Sequence, residues 1–148
     1  MLGVHQLKQL YELDDSQWLG ETISLLRNHQ FQQLDLEHLI EELEDLGKEK
    51  KNAVSSLLEQ VIRHLLLLQY WTKETEYNTI NWQEEIYNFR TQLRRKMTAN
   101  LRNYLEEELN YIYEDALGFV KIKTANTVIF SSQCPYSLEQ LLDRDWLP

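Results

Sequence analysis

Residues 35–47, with the sequence DLEHLIEELEDLG, decide the fold class of this chain. Their apolar side chains recur at the i, i+3, i+4, i+7 spacing that lines one face of an α-helix. These side chains are Leu36, Leu39, Ile40, Leu43 and Leu46. Asp35 can cap the start of the helix, and Gly47 can stop or kink it. The stretch therefore predicts an amphipathic helix with an acidic opposite face.

The segment after Gly47 repeats this helical spacing. From about residue 49 to residue 71 it carries a wide apolar stripe, and residues 65–68 are four consecutive leucines. A helix that is apolar nearly all round is typical of the buried centre of a bundle. Residues 72–78 then read as a polar turn.

The rest of the chain also favours helices. One is predicted from about residue 79 to residue 99, with Asn100 as its break, and another follows whose end is weakened by Gly118. Residues 1–14 read as a lead-in segment, and residues 137–142 as a small helix. We therefore predict an all-α bundle of about five main helices, with a short C-terminal helix that docks back on it.

Length and composition favour a single globular domain. The chain has 148 residues, of which 43% are hydrophobic, and only 4 Gly and 2 Pro interrupt it. A chain of this length buries enough surface to fold without a metal or disulfide. No repeat or linker divides it, so we expect one domain over residues 1–148, with a core from about residue 11 to residue 148.

Charge and cysteine usage narrow the class of protein. The formal net charge is −9, which disfavours nucleic acid and anionic membranes as partners. A single cysteine, Cys134, fits a reducing compartment, and the start of the chain lacks the pattern of a signal peptide. No apolar run is long enough to span a membrane. These features predict a cytoplasmic protein.

One pair of side chains is a weak candidate for a metal site. His38 and Glu42 are four residues apart on one helix face, a spacing at which imidazole and carboxylate can share an ion. The alternative is an ordinary solvated helix pair on an acidic face. The Glu-x-x-His pairs of di-iron bundles are missing. We expect no cofactor.

His64 is the most interesting single residue, because it stands on the apolar helix just before the four leucines. There a polar ring must be hydrogen-bonded. One interpretation is a core histidine; the other is a general base or ligand in a polar-aromatic pocket. The candidates for that pocket are His64, Gln69, Trp82, Arg90, Glu41 and Glu42.

A basic strip offers a third kind of site. It consists of Arg90, Arg94, Arg95, Lys96 and Arg102. Clustered arginines can contact phosphates in nucleic acid. In a chain of net charge −9, pairing with the acidic helix or with residues 106–108 is the interpretation we favour.

Several strings of the sequence resemble a known family when they are taken together. They are YELD at residues 11–14, LDLEHLIEELEDLG at 34–47, RHLL at 63–66, QYW at 69–71 and CPYSLEQLLDRDWLP at 134–148, with Trp18 and Trp82. This set resembles the DUF29 family, a domain family of unknown function found in bacteria and especially in cyanobacteria. Trp146, where a Phe is expected, and residues 123–132 depart from the family pattern. The resemblance implies an all-α bundle in a cytoplasmic bacterial protein, and no activity, cofactor or catalytic residue.

The sequence thus supports three functional hypotheses. The first is a non-catalytic cytoplasmic helical interaction module with a protein partner, which includes the case of a homodimer. The second is a small enzyme or ligand-binding protein with the pocket around His64. The third is association with nucleic acid through the strip that begins at Arg90.

Overall fold

The computed structural model describes residues 2–148 of the chain and contains six α-helices. They are α1 (Val4–Leu13), α2 (Asp15–Arg27), α3 (Leu36–Tyr70), α4 (Thr72–Lys96), α5 (Ala99–Lys123) and α6 (Leu138–Leu142), with a 3₁₀ turn at Phe31–Gln33. No β-strand occurs in the described residues. The predicted all-α class and helical bundle are confirmed. None of the helices in the described residues is long and apolar enough to cross a membrane.

The chain divides into two compact units, Met1–Lys48 and Glu49–Pro148. Helix α3 contributes residues to both. That both units fold together as one domain stays a prediction from the sequence.

The N-terminal unit has a small core between its helices. Its buried apolar residues are Leu7, Trp18, Leu25 and Leu34. Asp14 caps α2 by accepting a hydrogen bond from the backbone N–H of Gln17, 3.1 Å away. The predicted cap of α3 is confirmed, because Asp35 accepts from the backbone N–H of His38.

The C-terminal unit holds the larger core. The α3 side chains in it that are completely buried are Val54, Leu58, Val61, Ile62, Leu65 and Leu66. Leu67 is 1% exposed, so the prediction that the leucine run is the buried centre of a bundle is confirmed. Leu138 and Leu141 of α6 are buried in the same core, which confirms that the short C-terminal helix docks back.

Several predicted helix boundaries are wrong. Gly47 does not end a helix but lies inside α3, and α5 continues past Gly118 to Lys123. Both have helical backbone, since no glycine in the described residues has a positive φ. A glycine ends a helix readily only when its backbone turns left-handed, and here the neighbouring residues continue the helical packing instead.

The ends of three other helices also differ from the prediction. Residues 72–78 begin α4 rather than forming a turn, and within the predicted lead-in segment residues 4–13 form α1. The break between α4 and α5 lies at Met97 and Thr98 instead of Asn100. The reason is a capping side chain: the Thr98 hydroxyl accepts a hydrogen bond from the backbone N–H of Leu101.

Candidate functional site

His64 is half-buried in α3 and is hydrogen-bonded within its own helix. Its Nδ1 donates a hydrogen bond to the carbonyl oxygen of Gln60, 2.7 Å away and one helical turn earlier. Its ring lies 5.5 Å from that of Phe89. Burial lowers the pKa of His64, so the ring stays neutral at physiological pH.

The other pocket candidates of the C-terminal unit have separate partners. The side-chain oxygen of Gln69 accepts a hydrogen bond from the hydroxyl of Tyr136, 2.7 Å away. Trp82 is buried and stacks on Trp71 with ring centroids 6.1 Å apart. These contacts do not bring the two side chains together with His64 around one space.

Arg90 has a structural task. It is 2% exposed, and its guanidinium donates to the carbonyl oxygens of Gln140, Leu141 and Trp146 at 3.0, 2.9 and 2.7 Å. The first two carbonyls belong to α6, whose C-terminal carbonyl groups have no partner within the helix. Arg90 therefore fastens the C-terminal segment to α4, and its burial keeps its guanidinium away from a phosphate in solution.

Two surface clefts of the C-terminal unit have other linings. One is lined by Ile80, Gln83, Glu84, Tyr87 and Asn88. The other is lined by Asn110, Tyr113, Glu114, Ser132, Gln133 and Cys134. Neither contains a residue that the sequence proposed for the pocket.

The residues of the basic strip have different surroundings. Arg94, Arg95 and Lys96 are exposed in the last turn of α4, where cations interact favourably with the helix dipole. Arg102 lies 4.0 Å from Glu139, on an exposed surface. Arg90 bonds to carbonyl groups and Arg102 approaches Glu139 of α6. Pairing of the other strip residues with the acidic helix or with residues 106–108 stays a prediction.

The N-terminal unit contains a cluster that the sequence did not reveal. Asp35 is completely buried, and its Oδ2 lies 2.6 Å from Nδ1 of His38. The same oxygen accepts a hydrogen bond from the indole N–H of Trp18, 3.2 Å away. A buried carboxylate is stable when it is paired with charge and hydrogen-bonded, and this geometry supplies both.

Tyr11 completes this cluster. Its ring stacks on His38 with centroids 3.9 Å apart and meets Trp18 edge-on at 5.0 Å. Its hydroxyl donates a hydrogen bond to Glu42, which raises the pKa of Tyr11. We call Tyr11, Trp18, Asp35, His38 and Glu42 the Asp35 cluster.

The contacts of the Asp35 cluster hold the His38 ring in place and shift its pKa. The hydrogen bond from His38 to Asp35 raises the pKa of His38, and nearby Glu37 and Glu41 act in the same direction. Contacts of this kind fasten α1 and α2 to the start of α3. The sequence contained one indication of this contact: Asp35, the predicted helix cap, and His38 are three residues apart at the start of a helix.

Both members of the weak metal pair are bonded to other side chains of the Asp35 cluster. Nδ1 of His38 is bonded to Asp35, and a carboxylate oxygen of Glu42 accepts from Tyr11. Glu41 is exposed on α3. Within residues 2–148 no group of three or more His, Cys, Asp or Glu side chains is placed to hold a metal ion.

The apolar stripe that decides the fold class is largely uncovered. Leu36, Ile40, Leu43 and Leu46 are 56%, 53%, 59% and 47% exposed. We call these four residues the open face. The same helix continues the spacing with Val54, Leu58, Val61 and Leu65, which are completely buried. The open face is therefore a stretch of core-like surface without a cover.

A second exposed stripe lies on α2. Leu19, Ile23 and Leu26 follow the i, i+4, i+7 spacing and are 51%, 41% and 39% exposed. Leu19 and Glu42 line one small cleft, so this stripe borders the α3 surface. Contiguous apolar surface, unlike scattered apolar residues, often marks an interaction site.

A comparison with protein families identifies the family of this chain. The model of DUF29, a domain of unknown function, matches residues 10–147. The chain belongs to the DUF29 family. The match includes the Asp35 cluster and the open face, and the family description names no activity. No curated protein and no solved structure matches this DUF29 chain.

Proposed function

We propose that this DUF29 protein is a non-catalytic helical interaction module of the cytoplasm, which binds a protein partner through the open face. One observation carries the proposal: four apolar side chains at core spacing, on one helix, are each about half exposed. A row of this kind is typical of a helix that packs against another helix.

Covering this surface contributes favourable free energy to binding. Burying an exposed leucine or isoleucine contributes roughly 1.5–3 kcal/mol, so covering four half-exposed ones contributes about 3–6 kcal/mol. Part of this gain offsets the cost of association. The exposed stripe of Leu19, Ile23 and Leu26 adds to the surface that a partner can cover.

The scaffold beneath the open face supports the same conclusion. Asp35 caps α3 and binds both His38 and Trp18, so the first turns of the helix are held in place. A surface that is ordered before binding loses little entropy when a partner arrives.

The enzyme hypothesis has less support from the geometry. Gln69 and Trp82 have partners other than His64, and Arg90 is buried and bonded to carbonyl groups of the C-terminal segment. Burial raises the pKa of the Cys134 thiol, whereas an activated nucleophile needs a lowered one. The nucleic-acid hypothesis also has less support, because Arg90 is buried and the exposed basic run at residues 94–96 is short.

Site-specific photo-crosslinking tests the proposal. A photoreactive amino acid replaces Ile40 in one chain and Ile80 in a matched chain, and both are expressed in cells. Ile80 is 74% exposed on α4, outside the open face. We expect a protein adduct from position 40 and little from position 80. Equal yields at the two positions, or none at position 40, would contradict the proposed function.

A further inference from the structure

We propose that the partner on the open face is a second copy of this chain, packed antiparallel along α3. The inference rests on the proposed function and adds the identity and direction of the partner. It is argued from the spacing of the apolar residues, the order of charges along the helix and the position of Gly47.

The spacing of the open face fits a helix pair. Leu36, Ile40, Leu43 and Gly47 are separated by four, three and four residues. This alternation is the a and d pattern of two-helix packing, in which each side chain enters a space between residues of the facing helix. An extended helix of the same pattern is therefore the cover that matches the face.

The charges beside the open face are ordered along α3. Its first ten residues carry five acids, and a short run of three lysines interrupted by Glu49 follows. The acids are Glu37, Glu41, Glu42, Glu44 and Asp45, and the bases are Lys48, Lys50 and Lys51. In a parallel pair of copies, the acidic segments would lie side by side and repel. In an antiparallel pair centred near residue 45, each acidic segment faces the basic segment of the other copy.

Gly47 fixes the alignment more closely. It lies on the apolar stripe, and no atom is found within 4 Å of where its Cβ would be. The stripe therefore has a notch at this position. An antiparallel pair centred near residue 45 sets Leu43 of one copy over the notch of the other and brings Glu37 near Lys51. Both residues are exposed, and their present contacts are surface ones, with Lys8 at 3.5 Å and the Tyr104 ring at 5.3 Å.

Net charge is the main opposing term. Two chains of net charge −9 repel at long range, although salt at physiological strength screens charges beyond about 8 Å. A basic amphipathic helix of another protein would avoid this repulsion. Such a helix, however, would place positive charge against Lys48, Lys50 and Lys51, whereas a second copy places acidic residues there. The interface is small, so we expect a reversible dimer.

Sedimentation equilibrium of the full chain tests the dimer. Up to about 1 mM, the wild type is expected to show a monomer–dimer equilibrium. Ile40→Glu should weaken association at least about tenfold, because a buried charge replaces an apolar contact. Ile80→Glu, at an exposed isoleucine outside the open face, should leave it within about twofold. A wild type that stays monomeric, or a dimer that Ile40→Glu leaves intact, overturns the inference.

Charge reversal tests the direction of the pair. Glu37→Lys and Lys51→Glu should each weaken the dimer by about fivefold, and the double variant should restore it. Urea unfolding of each variant shows whether the fold is unchanged. A double variant as weak as the two singles overturns the antiparallel arrangement.

Crosslinking of introduced thiols gives an independent measure. In a Cys134→Ser background, chains with Glu37→Cys are mixed with chains that carry Lys51→Cys. Oxidation should join the two kinds of chain and should not join two Glu37→Cys chains. The opposite product pattern overturns the antiparallel arrangement.

The failure of this inference differs from that of the proposed function. If the chain is monomeric in solution but position 40 crosslinks to a different protein in cells, the dimer is overturned and the proposed interaction module is supported. A chain without any adduct at position 40 and without a dimer overturns both.

Discussion

Oδ2 of Asp35 lies 2.6 Å from Nδ1 of His38, and Asp35 is completely buried. A carboxylate in this position is stable only because Trp18 and His38 both donate to it. The same residue caps α3 through the backbone N–H of His38. One side chain thus combines capping, charge pairing and the attachment of α2, so changes here should be felt throughout the N-terminal unit.

The first prediction concerns the pH dependence of stability. The pKa of His38 is raised in the folded state above its ordinary value of 6.5. A base whose pKa rises on folding stabilises the protein fully below the unfolded pKa, and this stability is lost as pH rises through the folded pKa. We expect the free energy of unfolding to fall as pH increases above 6.5, and urea unfolding at a series of pH values measures it.

Matched variants isolate the contribution of His38. His38→Gln should remove this decline, and Asp35→Asn should also remove it at a cost of about 1–3 kcal/mol, because the charge partner is lost. His5→Gln is the control, since His5 is exposed and its ring bonds to Gln9 of the same helix. A decline that persists unchanged in His38→Gln would show that another group causes it.

The second prediction uses the opposite shift at His64. Burial lowers its pKa, so the folded state resists protonation of the ring. Stability from this group is present above the unfolded pKa and is lost as pH falls below it. His64→Leu should therefore flatten the acid side of the stability profile, measured by the same urea series. An unchanged acid side in His64→Leu would mean that the ring protonates freely in the fold.

The third prediction concerns Arg90, which donates to three carbonyl groups of the C-terminal segment. Arg90→Lys cannot reproduce this planar fork and leaves buried carbonyl groups without donors. We expect a loss of about 3 kcal/mol in urea unfolding, together with faster hydrogen exchange at residues 138–146. Arg94→Lys, at an exposed arginine of the same helix, should change stability by less than about 0.5 kcal/mol. Equal effects of the two changes would contradict the anchoring role.

The sequence predicted what depends on local periodicity. The leucines at residues 65–68 predicted a buried centre, and Asp35 predicted the start of a helix. Both patterns depend on residues within one or two helical turns. The partners of Arg90 could not be predicted, since they are carbonyl groups 50 to 56 residues away. Nor could the open face, because spacing marks an apolar stripe without saying whether the fold covers it.

The fourth prediction follows from the error at Gly47. An exposed glycine inside a helix costs about 0.5–1 kcal/mol relative to alanine. An added Cβ meets no atom within 4 Å at Gly47 or at Gly118. Gly47→Ala and Gly118→Ala should therefore each raise the free energy of unfolding of the monomer by about this amount. If Gly47 ended the helix with a left-handed backbone, Gly47→Ala would instead lower stability.

A fifth prediction compares two residues of α3 that share the same apolar spacing. Ile40 is 53% exposed, and Leu58 is completely buried. Leu58→Ala removes core contacts and leaves a cavity, so it should cost about 2–5 kcal/mol in urea unfolding. Ile40→Ala should cost less than about 1 kcal/mol in dilute solution, because half of the side chain already faces water. At high protein concentration, its effect should grow if a second copy covers the open face, since binding adds stability to the folded state alone. A large cost for Ile40→Ala at every concentration would mean that the face is covered within a single chain, and the open face would then be an internal contact rather than a place for a partner.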